Sequence, residues 1–195
     1  MRKLPALIFS LALVTMVLSF ATTRVMASAA DLGRHGATGV IICGGNQLMR
    51  NKGSEFHWTA WTLRNFDNHA TLFIERMRFI DARGNTLYDS AISGLPVFVN
   101  GVLGPLDNGL DPHQTALLSS RDVLGRDVAL PKTQRPIQLI IDWSAESHAL
   151  TLDAVAVRVV RERAVTDDGA GNVTVKIGAE RSRHASACRT VRHGH

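Results

Sequence analysis

What the chain lacks sets the first limits on what it does. It holds two cysteines in 195 residues and no Gly-x-Ser-x-Gly elbow, which excludes hydrolases built on that strained turn. It has no phosphate-binding glycine loop, because Gly101-Val102-Leu103-Gly104 lacks both a third glycine and a following helix. No Cys/His spacing matches a structural zinc site. Strand and helix patterns do not alternate, which argues against a parallel sheet. There is also little charge excess in the body of the chain. The formal +5 comes from the ends: Arg2, Lys3 and Arg24 precede residue 30, and Arg181, Arg183, Arg189 and Arg192 follow residue 180. Between residues 30 and 180, fifteen basic side chains meet seventeen acidic ones, a balance of 15 − 17 = −2. A basic stripe on the fold would mark a nucleic-acid binder, and no nucleic-acid partner is expected.

What is present begins with a leader. Arg2-Lys3 precede an apolar run from Leu4 to Ala21, broken by Pro5, Ser10, Thr15 and Ser19, and then comes the small-residue triplet Ala27-Ser28-Ala29. This is the layout of a secretory signal peptide over residues 1–29, cleaved after Ala29. The alternative is a retained anchor, since the run sits at the lower limit of the roughly 20 residues that cross a bilayer and Arg24 lies close to the cleavage point. Membrane contact is expected only through that segment if it is uncleaved. Val40-Ile41-Ile42 before Cys43 do not form a lipid-attachment site. The expected location is periplasmic or secreted. In an oxidising compartment the even pair Cys43 and Cys188 reads as a disulfide that staples the end of the chain to its first strand.

The remainder reads as strands. Phe56 to Leu63 carries bulky residues on both faces. Thr71 to Ile80 places Phe73, Met77 and Phe79 on one side and Arg76 and Arg78 on the other. Asp81-Ala82-Arg83-Gly84-Asn85 is a hairpin loop in which Gly84 and Asn85 are suited to positive φ. Thr86–Ser90 and His113–Ser120 are further strands; Ile137, Leu139, Ile141 and Trp143 alternate with polar residues. Leu150 to Val160 is Val-rich, and Val173, Val175 and Ile177 follow the turn cluster Asp167–Asn172. Leu150 to Glu162 is also compatible with a helix, but its β-branched spacing favours a strand. Seven or eight short strands predict an all-β fold: a single antiparallel β-sandwich, immunoglobulin- or fibronectin-like, over residues 30–180, with residues 181–195 as a basic, flexible tail.

One segment departs from this pattern. Gly94 to Pro112 is rich in Gly and Pro yet carries Leu95, Val97, Phe98, Val99, Val102, Leu103, Leu106 and Leu110. It is read either as a short extra strand with its own hairpin packed on the core, or as an apolar partner-binding loop with Phe98, Val99 and Leu103 as contacts. A second candidate is weak copper or zinc binding by His184, His193 and His195, with Cys188 between them. His57, His69, His113 and His148 lie one per segment and read as ordinary hydrogen-bonded residues. Asp107 and Asp111 flank a Gly-rich turn, a pairing more typical of turn chemistry than of calcium. No cofactor is expected.

The stretches Trp61-Thr62-Leu63-Arg64-Asn65, Ile80-Asp81-Ala82-Arg83-Gly84, Pro112-His113-Gln114-Thr115 and Ile141-Asp142-Trp143-Ser144-Ala145 follow a recurrent order. In this order the chain resembles a group of bacterial exported β-sandwich proteins whose function is not established. The resemblance spans Phe56 to Val160, implies a sandwich, and carries no reaction or catalytic residue with it. Taken together, these readings predict a non-enzymatic exported binding or structural module of the cell envelope, whose partner is an envelope protein or small ligand. A periplasmic hydrolase with dispersed His and Asp residues is the alternative from another class.

Overall fold

A computed structural model describes residues 36–125, 130–145 and 152–192. The leader, His148, His193 and His195 lie outside the described residues. In chain order the strands are β1 (Ala37–Gly44), β2 (Gln47–Arg50), β3 (Glu55–Asn65), β4 (Leu72–Asp81), β5 (Thr86–Asp89), β6 (Phe98–Asn100) and β7 (Gly104–Leu106). They continue with β8 (Gly109–Leu110), β9 (Thr115–Ser119), β10 (Pro136–Ala145), β11 (Leu152–Asp167), β12 (Val173–Ala187) and β13 (Arg189–Arg192). Two short helices, α1 (Ser90–Ser93) and α2 (Ser120–Leu124), follow β5 and β9 directly. The first sheet runs β13-β1-β10-β4-β5 with β8 also on β4, and the second runs β12-β11-β3-β9-β6-β7 with β2 also on β3. The recorded pairings are antiparallel. The chain is an all-β sandwich.

The period-two pattern places the core. Trp61 and Leu63 on β3, Ile41 on β1, Met77 and Phe79 on β4, and Leu139, Ile141 and Trp143 on β10 are all buried between the sheets. Fully burying one such side chain stabilises by roughly 1.5–3 kcal/mol. Two bulges shift the simple alternation. On β4 the register jumps from Arg76 opposite Asp142 to Ile74 opposite Trp143, so Glu75 is the extra residue. Leu72 and Ile74 therefore point inward in place of Phe73, which is only half-buried. A second shift near Pro136 turns Ile137 out of the core, to 51% exposure.

Two hairpins share the sequence Asp-x-x-Gly-Asn. In Asp81–Asn85 the Asp81 carboxylate accepts from the Arg83 and Asn85 backbone N–H groups and from Asn85 Nδ2, at 2.8, 2.9 and 3.1 Å. In Asp168–Asn172, Asp168 accepts from the Ala170 and Asn172 N–H groups and Asn172 Nδ2, at 2.8, 3.1 and 2.7 Å. Only glycines take positive φ in these loops, 85° at Gly84 in the first and 74° and 88° at Gly169 and Gly171 in the second. Asn85 serves through its side chain and not through a left-handed backbone.

Gly94–Pro112 forms the β6–β7 hairpin and β8. Phe98 and Leu110 are each 1% exposed, packed in the main core. Asn100 fixes the hairpin: its Nδ2 donates to the Thr115 carbonyl, and its Oδ1 accepts from Val102 and Leu103 N–H. The packed-hairpin reading is the observed one.

The segment after residue 180 is not a tail as far as Arg192. Arg181–Ala187 complete β12 against β11, and β13 pairs with β1. Little apolar alternation marks 181–187, so its order comes from its neighbours. The chain crosses between the sheets at Cys188, whose N–H donates to the Ala154 carbonyl and whose sulfur is bonded to Cys43. The outer edge of β12 is interrupted by bulges near Arg183 and Gly178 and carries Lys176, Arg181 and Arg183. Such features blunt an open edge against further pairing.

Candidate functional site

Phe98 cannot meet a partner, because its ring is part of the core; this corrects the reading of it as a contact. Val99 and Leu103, 41% and 65% exposed, remain at the surface. Val99 belongs to a larger feature. Directly paired residues share a sheet face, and the register across the second sheet runs Ala187, Val155, Thr62, Leu117, Val99, Pro105 on six strands. The adjacent row is Ala185, Val157, Ala60, Ser119. Neither row contains a charge. Val97 and Leu117 are 63% and 44% exposed there, and a trough of about 540 Å³ lies between Val97, Val99, Leu117 and α2. One end is closed by Trp58, over whose ring lie the guanidiniums of Arg121 and Arg161, 4.7 and 5.3 Å from the centroid. Both are held by Glu180. The outer face of the first sheet differs: Arg76 pairs with Asp89, and Arg78 with Asp142 at 3.0 Å. The Arg76 guanidinium, then the Ala91 N–H, hold the Asp89 carboxyl down at about 2.

A second feature lies between the sheets at the end β1 leaves uncovered. Inward positions of β3 run His57, Thr59, Trp61, Leu63, Asn65, and those of β11 run Leu152, Ala154, Ala156, Arg158, Val160. Beyond Gly44 the inward positions include Thr59, His57 and Arg158, with apolar Val160 opposite His57. Arg158, His184, Ser186 and Thr59, with the backbone of Gly44–Asn46, line a cavity of about 180 Å³. His57 is buried, its Nε2 2.8 Å from Glu55 Oε2 and its Nδ1 2.9 Å from an Arg158 guanidinium nitrogen. A guanidinium can only donate, so Nδ1 accepts and the Nε2 proton is donated to Glu55. Burial, assisted by the Arg158 charge and outweighing the Glu55 contact, pushes the His57 pKa down. The hydrogen bond from His57, then that from Asn51, hold Glu55 below the usual carboxylate range despite some desolvation.

This cluster bears on the hydrolase alternative. His57 reaches a carboxylate, as a catalytic histidine must, but Arg158 occupies the lone pair that would have to activate a hydroxyl. The arrangement is suited to holding a ligand. In the sequence His57 stands alone in its segment, and neither Arg158 nor Glu55 is marked as its partner. The available signal was a lone charge at an inward position of the otherwise apolar series 152, 154, 156, 158, 160.

His184 faces the same cavity, directly opposite Arg158, whose positive charge opposes a metal cation there. Cys188 is committed to the disulfide. Among the described residues no group of three His, Cys, Asp or Glu side chains is arranged to hold a metal ion. Exposed His113 sits at a turn with φ of 61°. Asp107 accepts from the Gly109 N–H, and Asp111 from the Thr71 hydroxyl, which is ordinary turn chemistry. Among the described residues no helix is long and apolar enough to cross a membrane. Comparison with known protein families, characterised proteins and solved structures finds no match to this chain.

Proposed function

We propose that the protein is an exported, non-enzymatic binding module that docks another protein on the outer face of its second sheet. The observation that carries this reading is the uncharged row Ala187–Val155–Thr62–Leu117–Val99–Pro105, half-buried at Val155 and Thr62 and exposed at its other members, on one outer face while the opposite face carries ion pairs. Exposed apolar area of this kind is costly unless something covers it. The trough on this face is open to solvent, whereas small ligands need most of their surface enclosed. An uncharged centre with a rim of both signs, here Arg121, Asp122, Arg161 and Glu180, is the anatomy of a protein interface. Export is supported by the leader-like sequence of residues 1–29 and by the disulfide.

The test is photo-crosslinking in producing cells, with a benzophenone amino acid placed at Leu117 or, as control, at exposed Lys176. A discrete adduct with one other protein from position 117 and none from 176 supports the reading. An adduct of twice the chain mass would show a second copy on this face and overturn it. Equal labelling from both positions would also overturn it.

A further inference from the structure

The cavity at the open end of the sandwich has an unbalanced charge. Arg158 spends one guanidinium N–H on the neutral His57 ring. Among the described residues no carboxylate lies within ion-pair distance of Arg158. Its Nε is buried and meets no acceptor. The nearby acid, Glu55, is already engaged by His57 and Asn51. Two further guanidiniums act on the same space. Arg50 is directly opposite Glu55 in the β2–β3 pairing, and Arg183 is the bulge residue beside His184. Burial first, then the charges of Arg50 and Arg183, pull the Arg158 pKa below its ordinary value, and Glu55 offsets only part of that. Three guanidiniums against one carboxylate give +3 − 1 = +2 among the groups of fixed charge.

We propose that this cavity binds a dianionic phosphate group, held by the free edge of Arg158 with His184 and the hydroxyls of Thr59 and Ser186 beside it. The reasoning is charge matching combined with donor type. A phosphate monoester carries about −1.5 to −2 near neutral pH, close to the local excess, and offers three acceptor oxygens. A carboxylate would balance only half of that excess. Guanidinium is the side chain whose planar donors match such oxygens. His57 is a positioning residue: by accepting from one nitrogen of Arg158 and donating to Glu55, it fixes the guanidinium plane across the cavity. The site is independent of the outer-face docking surface, since Arg158 points to the opposite side of the sheet from Val155 and Val157.

The experiment is calorimetric titration of the purified full chain with inorganic phosphate, glycerol phosphate and acetate at matched ionic strength. Saturable one-to-one binding of phosphate, with acetate at least about tenfold weaker, is expected. Glycerol phosphate binding more tightly than phosphate would assign the site to a phosphoryl group on a larger molecule, and the reverse order to the free ion; both support the site. Arg158→Met is expected to weaken binding about tenfold or more. Because Arg158 is partly buried, exposed Arg183→Ser is the companion variant, expected to weaken binding several-fold with an unchanged melting temperature. No saturable heat below about 10 mM phosphate, acetate binding as tightly as phosphate, or full binding by both variants would overturn the proposal.

Discussion

Removing the disulfide is the perturbation whose size follows most directly from the structure. Cys43 lies on an inward position of β1, and Cys188 is the point where the chain leaves the second sheet to join the first. The bond closes a loop of 145 residues. In the chain-entropy treatment such a loop restricts the unfolded chain enough to stabilise the fold by about 5 kcal/mol at 25 °C. For a chain of this size each kcal/mol moves the melting temperature by about 2–4 °C, so the Cys43→Ala/Cys188→Ala variant should melt about 10–20 °C lower. Urea unfolding is the matching assay. Freed of the cross-link, the unfolded chain expands and exposes more surface, so the slope of free energy against urea should rise as the midpoint falls. A loss under about 2 kcal/mol with an unchanged slope would refute the reasoning. It would mean that the four residues of β13 and the Cys188 backbone hydrogen bond hold the crossover without the covalent bond.

Four further outcomes follow from particular contacts. A Cβ on Gly39 would lie 2.6 Å from the Trp143 ring and 2.8 Å from the Val191 carbonyl, so Gly39→Ala should destabilise by about 1–3 kcal/mol in urea unfolding. Phe98→Ala should cost about 3–5 kcal/mol, because it empties a core site. Leu103→Ser, at the exposed hairpin tip, should stay within about 0.5 kcal/mol. The folded pKa of Asp89 lies near 2, below its unfolded value of 3.8. Its stabilising contribution is therefore fully present above about pH 4 and is lost as the pH falls toward 2. With the Arg76 side chain 43% exposed and so partly screened, that contribution is about 1 kcal/mol, so Asp89→Asn and the parent chain should converge in stability between pH 4 and 2 in acid titrations.

The sandwich was legible because alternation is a local signal. Leu139, Ile141 and Trp143 announce an inward face with no knowledge of the partner strand. Where the signal failed, a cause outside the segment intervened. The bulge at Glu75 is set by pairing with β10, so Leu72 and Ile74 replace Phe73 in the core for a reason the β4 sequence does not contain. Residues 181–187 have almost no apolar pattern, and their order rests on β11 and on the link to Cys43. The disulfide itself was readable, since only one pairing exists for two cysteines. The polar cluster was not, because Glu55, His57, Arg158 and His184 come from three strands up to 129 positions apart in sequence (184 − 55), and only the β3–β11–β12 register brings them together. The apolar outer face escaped for a related reason: Val155, Thr62, Leu117 and Val99 form a row across the strands and never a run along one.

The central claim is that the uncharged outer face of the second sheet is covered by another protein in the cell. Hydroxyl-radical footprinting, comparing the chain in intact cells with the purified chain, measures this directly. Leu117, Val99 and Val97 should be strongly protected in cells, while Ile92, 85% exposed on α1 after β5 of the first sheet, should label equally in both. Equal labelling of Leu117 and Val99 in cells and in isolation would contradict the account.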